Sequence, residues 1–225
     1  MNLPIVQSTE GVTLAGGSIF SLKLLDIARL HAPRVVAADG GADRLLRLGV
    51  EPEAVIGDFD SISATARARL AGRLFPIREQ VTTDFDKALR SIVAPFVIGI
   101  GFAGARLDHG LAVLNGLVSQ KDKRCLILSG QDVCFLAPRE MVLRLPVGTR
   151  LSLFPMGPVE GESAGLKWPL QGLRFAPAGL IGTSNEVSAP LVQLRFDADL
   201  MLVILPRSAL AAALDGLLPS GALGR

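Results

Sequence analysis

The sequence is poor in cysteine and in histidine, with two of each in 225 residues. Cys125 and Cys134 both lie inside apolar runs, which indicates buried small side chains and argues against a disulfide framework or a cysteine-ligated metal site. The first basic residue is Lys23, so the chain lacks the charged start of a secretory signal peptide. We therefore expect a cytoplasmic protein without structural disulfides.

A strong charge of one sign and a long apolar segment are also missing. The formal net charge is +2, which gives no reason to expect nucleic acid or an anionic membrane as a partner. The longest uncharged run, Ser91 to Ala105, is shorter than the ~20 residues of a membrane-spanning helix and is broken by proline and glycine. Hydrophobic residues nevertheless make up 49% of the chain, enough for one large folded domain or two small ones.

The common nucleotide-binding motifs are absent or misplaced. No Gly-x-x-x-x-Gly-Lys-Ser/Thr sequence occurs, which argues against P-loop chemistry. Gly99-x-Gly101-x-x-Gly104 matches the dinucleotide fingerprint, but it follows a late strand instead of opening the first β-α-β unit. Arg106 and Asp108 would also crowd the pyrophosphate position. We therefore disfavour an NAD site.

The pattern of apolar residues changes along the chain. Short apolar runs alternate with helical patterns as far as about Gly130, which predicts an α/β domain with a mostly parallel, Rossmann-like sheet and helices on both faces. Beyond that point, short apolar runs are separated by proline and glycine turns, which is typical of an antiparallel β-sandwich. We expect domains at 1–135 and 136–225.

Two helices of the first domain have clear signatures. Thr83 and Asp86 have the spacing of a capping box, so a helix begins at Thr83. A later helix carries apolar residues at helical spacing, and its predicted buried side chains are Leu107, Leu111, Leu114 and Val118.

The segment Val55-Ile56-Gly57-Asp58-Phe59-Asp60 runs from a predicted buried strand directly into two acids. Residues two apart in an extended segment point to the same side, so we expect Asp58 and Asp60 to aim their carboxylates at one point. Ligands bind at the carboxyl ends of strands in open α/β sheets, and paired carboxylates suit Mg²⁺. The alternative is a solvated turn, because aspartate and serine are common turn residues.

Further acids recur where predicted strands give way to helices, namely Asp39, Asp84 and Asp108. Each by itself is a common helix cap. If the strands are parallel, however, these acids face one crevice, where they repel unless a cation bridges them. Lys87 and Arg106 add positive charge at the same edge, and nearby glycine pairs let backbone N–H groups approach phosphate oxygens. The combination favours a site for a metal–nucleotide complex.

These segments, taken in order, closely resemble the motifs of the thiamine pyrophosphokinase family. The matching segments are Ala38-Asp39-Gly40-Gly41-Ala42, Gly57-Asp58-Phe59-Asp60-Ser61, Thr83-Asp84-x-x-Lys87-Ala88-Leu89, Gly101-x-x-Gly104-x-Arg106-x-Asp108-His109 with Asn115, Gly165-Leu166-Lys167-Trp168-Pro169-Leu170 and Thr183-Ser184-Asn185-Glu186. The resemblance implies a homodimer with substrate pockets shared between subunits. It also implies Mg²⁺-dependent transfer of the pyrophosphoryl group of ATP, as co-substrate, to the hydroxyl of thiamine, giving thiamine diphosphate and AMP.

The resemblance also implies roles for individual residues. Asp58, Asp60 and Asp84 would hold Mg²⁺ and, with Asp108, form the catalytic set. The ATP-binding residues would be Asp39, Gly40, Gly41, Lys87, Gly104, Arg106 and Asn115. The thiamine-binding residues would be Gln80, Ser184 and Asn185. Either Asp58 or Asp84 is a candidate to polarise the thiamine hydroxyl, and the sequence does not choose between them.

The chain departs from the family pattern at two informative positions. Val81 stands where the family tends to carry an acid, and Val187 stands where an aromatic residue that stacks on thiamine is common. Two alternatives therefore stay open, a related pyrophosphokinase with another acceptor alcohol and a non-catalytic protein that binds nucleotide or thiamine. For Trp168, packing in the sandwich and contact with a ligand are both open.

Overall fold

The computed structural model describes residues 4–104 and 106–218 and divides into two compact units. The first unit ends at Gly130 and the second begins at Gln131. Among the described residues, every helix falls short of the length and hydropathy that a membrane span needs.

The first unit alternates strands with helices along the chain. Its helices are α1 (Leu22–His31), α2 (Gly41–Arg47), α3 (Ala64–Arg69), α4 (Asp84–Arg90) and α5 (Leu107–Ser119). Its strands are β1 (Val6–Gln7), β2 (Val12–Ala15), β3 (Arg34–Ala38), β4 (Ala54–Gly57), β5 (Leu74–Pro76), β6 (Ile92–Val93), β7 (Val97–Ile100) and β8 (Cys125–Leu128). A 3₁₀ turn, Ala71–Arg73, precedes β5.

The main sheet of this unit is parallel, in the order β8-β7-β2-β3-β4-β5, while β1 pairs with β6 alone. Strands β2, β4, β7 and β8 are buried along their whole length, as their continuous apolar runs require when helices cover a sheet. The chain adds strands on one side of β2 and then returns to add β7 and β8 on the other. This reversal creates a switch point between β2 and β7, and open α/β sheets bind their ligands at the carboxyl ends of the strands beside such a point.

The predicted capping box is present at α4. The Thr83 hydroxyl accepts from the Asp86 N–H at 3.2 Å, and Asp86 Oδ2 accepts from the Thr83 N–H at 3.2 Å. This reciprocal cap fixes the first turn of the helix, so Asp84 and Lys87 emerge at a defined place beside β4.

The predicted buried face of α5 is wrong at Leu107 and Leu111. Leu107 is 76% exposed and Leu111 is 59% exposed, whereas Val113, Gly116 and Leu117 are buried. The reason lies at Gly116, where an added Cβ would stand only 2.8 Å from the Phe85 ring. Helix α5 thus turns its small residue toward α4. Leu107 and Leu111 stay exposed, while Leu114 and Val118 of the predicted face are half-buried.

The second unit is mostly antiparallel β-structure. Its strands are β9 (Asp132–Leu136), β10 (Glu140–Arg144), β11 (Arg150–Pro155), β12 (Val159–Ala164), β13 (Arg174–Phe175), β14 (Gly182–Glu186), β15 (Leu191–Phe196) and β16 (Met201–Pro206), followed by a 3₁₀ turn (Arg207–Ala209) and α6 (Leu210–Leu217). They pair in the orders β14-β11-β16-β9 and β10-β15-β12-β13. Burial alternates along β10 and β15, so each of these strands has one buried face.

Candidate active site

A cavity of about 760 Å³ lies in the first unit, where the loops that follow β2, β3, β4 and β7 meet the start of α4. Its volume falls within the range of small-molecule sites. The predicted site residues among its lining are Asp39, Gly40, Asp58, Asp60, Gln80, Asp84, Lys87, Gly104 and Arg106. Other predicted residues lie outside the lining, namely Gly41, Asp108 and Asn115 in the first unit and Ser184 and Asn185 in the second.

Asp39, Asp58 and Asp60 bring carboxylate oxygens within 4.8 Å of one another. Asp39 is only 2% exposed; its Oδ2 accepts from the Ser61 N–H at 3.1 Å, while its Oδ1 is buried and has no hydrogen-bond partner among the described residues. Burial, together with the charges of Asp84 and Asp60, raises the pKa of Asp39 to about 7, although the Ser61 N–H opposes the shift. An uncompensated buried carboxylate is costly, so this corner of the cavity favours a cation or a proton.

The two acids after β4 converge by a route that differs from the prediction. The segment is not extended, because Phe59 has φ +66° and lies between them in the left-handed region. In this turn the Asp60 N–H donates to Asp58 Oδ1 at 3.3 Å. Arg67 of α3 donates to the Phe59 carbonyl and places its guanidinium 5.7 Å from the centre of the Phe59 ring. The predicted extended segment is therefore wrong, and the turn explains the convergence of the two carboxylates.

Two backbone features place Asp39 against this turn. Asp39 has φ +40°, an uncommon value for a residue other than glycine, and such strain is found most often at functional sites. Gly57 ends β4 beside it, and an added Cβ there would stand 2.8 Å from the Asp39 Cβ. Only glycine permits this approach of the two strand ends.

Lys87 links two of the predicted acids. Its Nζ donates to Asp58 Oδ2 at 2.8 Å and to Asp84 Oδ1 at 3.1 Å, and the residue is only 2% exposed. Burial by itself would lower the pKa of Lys87, but the hydrogen bonds to the two acids outweigh it and raise the pKa. The bond from Lys87 lowers the pKa of Asp58, whereas burial raises that of Asp84 despite its bond to the same lysine. Asp84 is thus linked to Asp58 through the Lys87 ammonium, which donates to both carboxylates.

Gln80 is held at the same acid by the loop before α4. Its Nε2 donates to Asp58 Oδ2 at 3.1 Å. Glu79 fixes the loop: it accepts from the Val81 N–H at 2.8 Å, from the N–H and hydroxyl of Thr82, and from Arg90 Nη2 at 2.8 Å. Bonds from Thr82 and Arg90 lower the pKa of Glu79 to about 2.

The roles of Glu79 and Arg90 could not be predicted from the sequence. The available signal was an acid three residues before a threonine, followed by an arginine eleven residues on, and it is too common to single out.

Arg106 lines the cavity, and Asp108 orients it from outside. The guanidinium donates to Asp108 through Nε at 3.2 Å and Nη2 at 2.6 Å, and this contact lowers the pKa of Asp108 to about 2.

Two further residues predicted to bind ATP lie outside the cavity lining. Asn115 is exposed on α5. Gly41 packs the start of α2 on β2, since an added Cβ would lie 2.1 Å from the Ala15 carbonyl oxygen. The geometry therefore gives Gly41 a packing position.

In the second unit, the side chain of Asn185 is occupied by main-chain groups. Its Nδ2 donates to the Trp168 carbonyl at 2.7 Å, and its Oδ1 accepts from the Trp168 N–H at 3.2 Å and from the Glu186 N–H at 2.8 Å. Ser184 is exposed with φ +62°, and its N–H donates to Ser152 Oγ at 2.9 Å. Val187 is fully buried and forms a β-bridge with Leu166.

Comparison with known protein families matches both units. Residues 28–128 match the family model described as thiamin pyrophosphokinase, catalytic domain. Residues 140–201 match the model described as thiamin pyrophosphokinase, vitamin B1 binding domain.

Individual relatives agree with this result. Thiamine pyrophosphokinase 2 of Oryza sativa subsp. japonica is 31% identical over 209 residues, covering 77% of this chain and 78% of the relative. Thiamine pyrophosphokinase 1 of the same plant is 28% identical over 220 residues, covering 82% of each chain. A solved thiamin pyrophosphokinase from Candida albicans shares the fold, with a TM-score of 0.75 at 16% identity over 92% of this chain and 95% of that one. The chain therefore belongs to the thiamin pyrophosphokinase family.

Proposed function

We propose that this enzyme transfers the pyrophosphoryl group of ATP to the hydroxyl of thiamine in a Mg²⁺-dependent reaction that yields thiamine diphosphate and AMP. The family match supports the reaction class. The observation that carries the chemistry is the buried, unpartnered oxygen of Asp39 beside Asp58 and Asp60 in the cavity.

The residues present fit a magnesium ion. They supply hard carboxylate oxygens close enough to share one cation, and one of these oxygens is buried with no donor in the part of the chain that the structure describes. Asp58 and Asp60 would hold the ion together with Asp39, and Asp84 remains a proposed ligand beside them. When bound, Mg²⁺ neutralises charge on the triphosphate.

The remaining cavity residues would hold the triphosphate in line with the acceptor hydroxyl. Arg106 offers a forked donor for phosphate oxygens, and Lys87 offers a buried positive charge. Gly17, Gly40 and Gly104 expose backbone close to the ligand space. Positioning and charge neutralisation of this kind supply most of the rate in phosphoryl transfer.

An acid must also accept the proton of the thiamine hydroxyl. Asp58 and Asp84 both line the cavity. The raised pKa of Asp84 makes it the stronger base, whereas Lys87 lowers the pKa of Asp58. Asp84 can take this role when Asp39, Asp58 and Asp60 hold the metal without it.

We assign nucleotide and metal binding to the α/β part of the chain, residues 1–135, with helices on both faces of its sheet. Thiamine binding and dimerisation are assigned to residues 136–225 as a β-sandwich built from the two antiparallel sheets. By family resemblance, the enzyme would be a homodimer whose subunits share substrate pockets, and the sequence pattern favours the cytoplasm as its location. Mass measurement by light scattering at working concentration tests the dimer.

The test of the proposed function is AMP release from ATP that depends on both thiamine and Mg²⁺. Asp58→Asn should abolish it, because the amide removes a charged metal ligand. Steady thiamine diphosphate formation by this variant would contradict the metal role. Calorimetric binding of Mg-ATP without AMP release would indicate a binding protein, and a much better acceptor in a panel of alcohols would indicate a different substrate.

A further inference from the structure

The loop that follows β2 forms one wall of the cavity in the first unit. Its residues in the cavity lining are Gly16, Gly17, Ser18 and Ile19. Two main-chain bonds tie the start of this loop to the end of β7, from the Gly16 N–H to the Ile100 carbonyl at 2.8 Å and from the Ser18 N–H to the Gly101 carbonyl at 3.0 Å. Within the described part of the chain, neither Ile19 nor Phe20 pairs its main chain with another main-chain group. The second half of the loop is therefore held by other contacts.

Arg44 of helix α2 supplies the contact that holds Phe20. Its Nε donates to the Phe20 carbonyl at 3.1 Å, and its Nη2 donates to the same oxygen. The guanidinium also lies 5.6 Å from the centre of the Phe20 ring, within the range of a cation–π contact. Arg44 is half-buried and forms no ion pair with an acid of the described residues. Its charge and its donors are thus directed at the main chain and the side chain of one residue.

Phe20 in turn contacts the loop after β7. Phe20 is 4% exposed, and an added Cβ at Gly101 would stand only 2.7 Å from its Cδ1. Gly101 has φ +72°, a conformation that glycine adopts without strain. Further along the same loop, an added Cβ at Gly104 would stand 1.9 Å from Ser18 Oγ. The loops after β2 and β7 therefore touch at two places, and Phe20 occupies one of them.

Arg44 reaches this contact from outside the cavity. It is not among the lining residues, and it lies in the first turn of α2, directly after Asp39 and Gly40 of the loop that follows β3. Its bonds to Phe20 thus connect the loop after β3 with the loop after β2, and both loops line the cavity. Loss of these bonds would release the backbone that faces the ligand and leave every lining residue unchanged.

We propose that Arg44 is a positioning residue for the triphosphate of ATP, and that it acts through Phe20 by holding Gly17 and Ser18 in place. The inference rests on the proposed function, since it names a residue that shapes the nucleotide subsite. The Gly17 N–H and the Ser18 hydroxyl are donors of the kind that bind phosphate oxygens. Donors that are held before the ligand arrives bind it more tightly, because less ordering is needed on binding. Loosening this loop therefore weakens ATP binding specifically.

Kinetics of the full-length protein test this role. Arg44→Met should raise the KM for ATP about tenfold, the scale of one lost hydrogen bond from a charged donor, with kcat and the KM for thiamine unchanged. Arg44→Lys keeps the charge and one donor for the Phe20 carbonyl, so it should recover part of the loss. Arg47→Met, at an exposed residue of the same helix, is the matched control and should change neither KM. Calorimetry with Mg²⁺ and a non-hydrolysable ATP analogue should show the same order of affinities without turnover.

The outcomes separate this inference from the proposed function. An unchanged KM for ATP in Arg44→Met with normal AMP release would overturn the role of Arg44 and leave the reaction intact. Equal rises in the KM for ATP and for thiamine would also overturn it, because they indicate a general loosening of the fold. Absence of thiamine-dependent AMP release in the unmodified protein would overturn the reaction itself, and the calorimetric comparison would then decide the role of Arg44.

Circular dichroism identifies an Arg44→Met variant that loses folding. Arg44→Lys then decides: a raised KM for ATP with an unchanged KM for thiamine supports the role of Arg44. A KM for ATP equal to that of the unmodified protein would overturn it.

Discussion

The Nζ of Lys87 lies 2.8 Å from Oδ2 of Asp58 and is almost completely removed from solvent. A buried lysine between two acids compensates charge that would otherwise be unpaired. This arrangement makes Lys87 a structural counter-charge as well as a candidate phosphate ligand.

Lys87→Met should destabilise the protein by roughly 3–5 kcal/mol, because it leaves Asp58 and Asp84 without their cation. Urea unfolding at neutral pH measures the change, and added Mg²⁺ should recover part of it. Arg34→Met breaks an ion pair with Glu53 whose side chains are 39% and 40% exposed, and it should cost less than about 1 kcal/mol. Equal losses of unfolding free energy in the two variants would show that the buried Lys87 contacts stabilise the protein no more than the exposed Arg34–Glu53 pair.

Asp39→Asn should change how stability depends on pH. The pKa of Asp39 is raised from 3.8 to about 7, so between these values the folded state binds a proton that the unfolded state has released. Stability that is present below pH 4 is therefore lost as pH rises toward 7, by a few kcal/mol at ~1.4 kcal/mol per pKa unit.

Without metal, the difference in unfolding free energy between the unmodified protein and Asp39→Asn should therefore fall as the pH rises from 3.8 to about 7. Saturating Mg²⁺ should shrink or reverse the difference at pH 8. Parallel pH curves for the two proteins would contradict the burial of a carboxylate at this position.

Gly57→Ala should remove Mg²⁺ binding and activity, because its Cβ would stand 2.8 Å from that of Asp39. Isothermal calorimetry with Mg²⁺ and ATP measures the effect. Gly72→Ala is the matched control, since an added Cβ there meets nothing within 4 Å. Normal metal binding by Gly57→Ala would mean that Asp39 can move away without consequence.

Glu79→Ala should raise the KM for thiamine by an order of magnitude or so, the scale of a displaced substrate contact, because the loop that aims Gln80 at Asp58 loses its acceptor. The KM for ATP should change far less. Glu53→Ala, an exposed acid paired with Arg34, serves as the control. A loss of kcat with an unchanged KM for thiamine would argue against a positioning role for Glu79.

The sequence predicts the architecture of the first unit and the place of its acids, but it does not predict the local geometry around them. Alternating strands and helices are enough to bring acids after β3 and β4 to one cavity, because parallel strands end at one edge. Periodicity fails at α5, since it cannot show that Gly116 rather than Leu107 faces the neighbouring helix. It also cannot show the left-handed turn at Phe59, where the structure departs from local preference. Roles for Ser184, Asn185 and Asn115 stay predictions.

The contact between Arg67 and Phe59 has a consequence for how this enzyme can change. Arg67 is an exposed residue of α3 that makes no ion pair within the described part of the chain, yet it donates to the Phe59 carbonyl, and the left-handed conformation of Phe59 sets the distance between Asp58 and Asp60. A substitution at Arg67 would change the distance between the two carboxylates and leave every residue that lines the cavity unchanged. The preference of the proposed metal site would then change through a substitution outside the pocket.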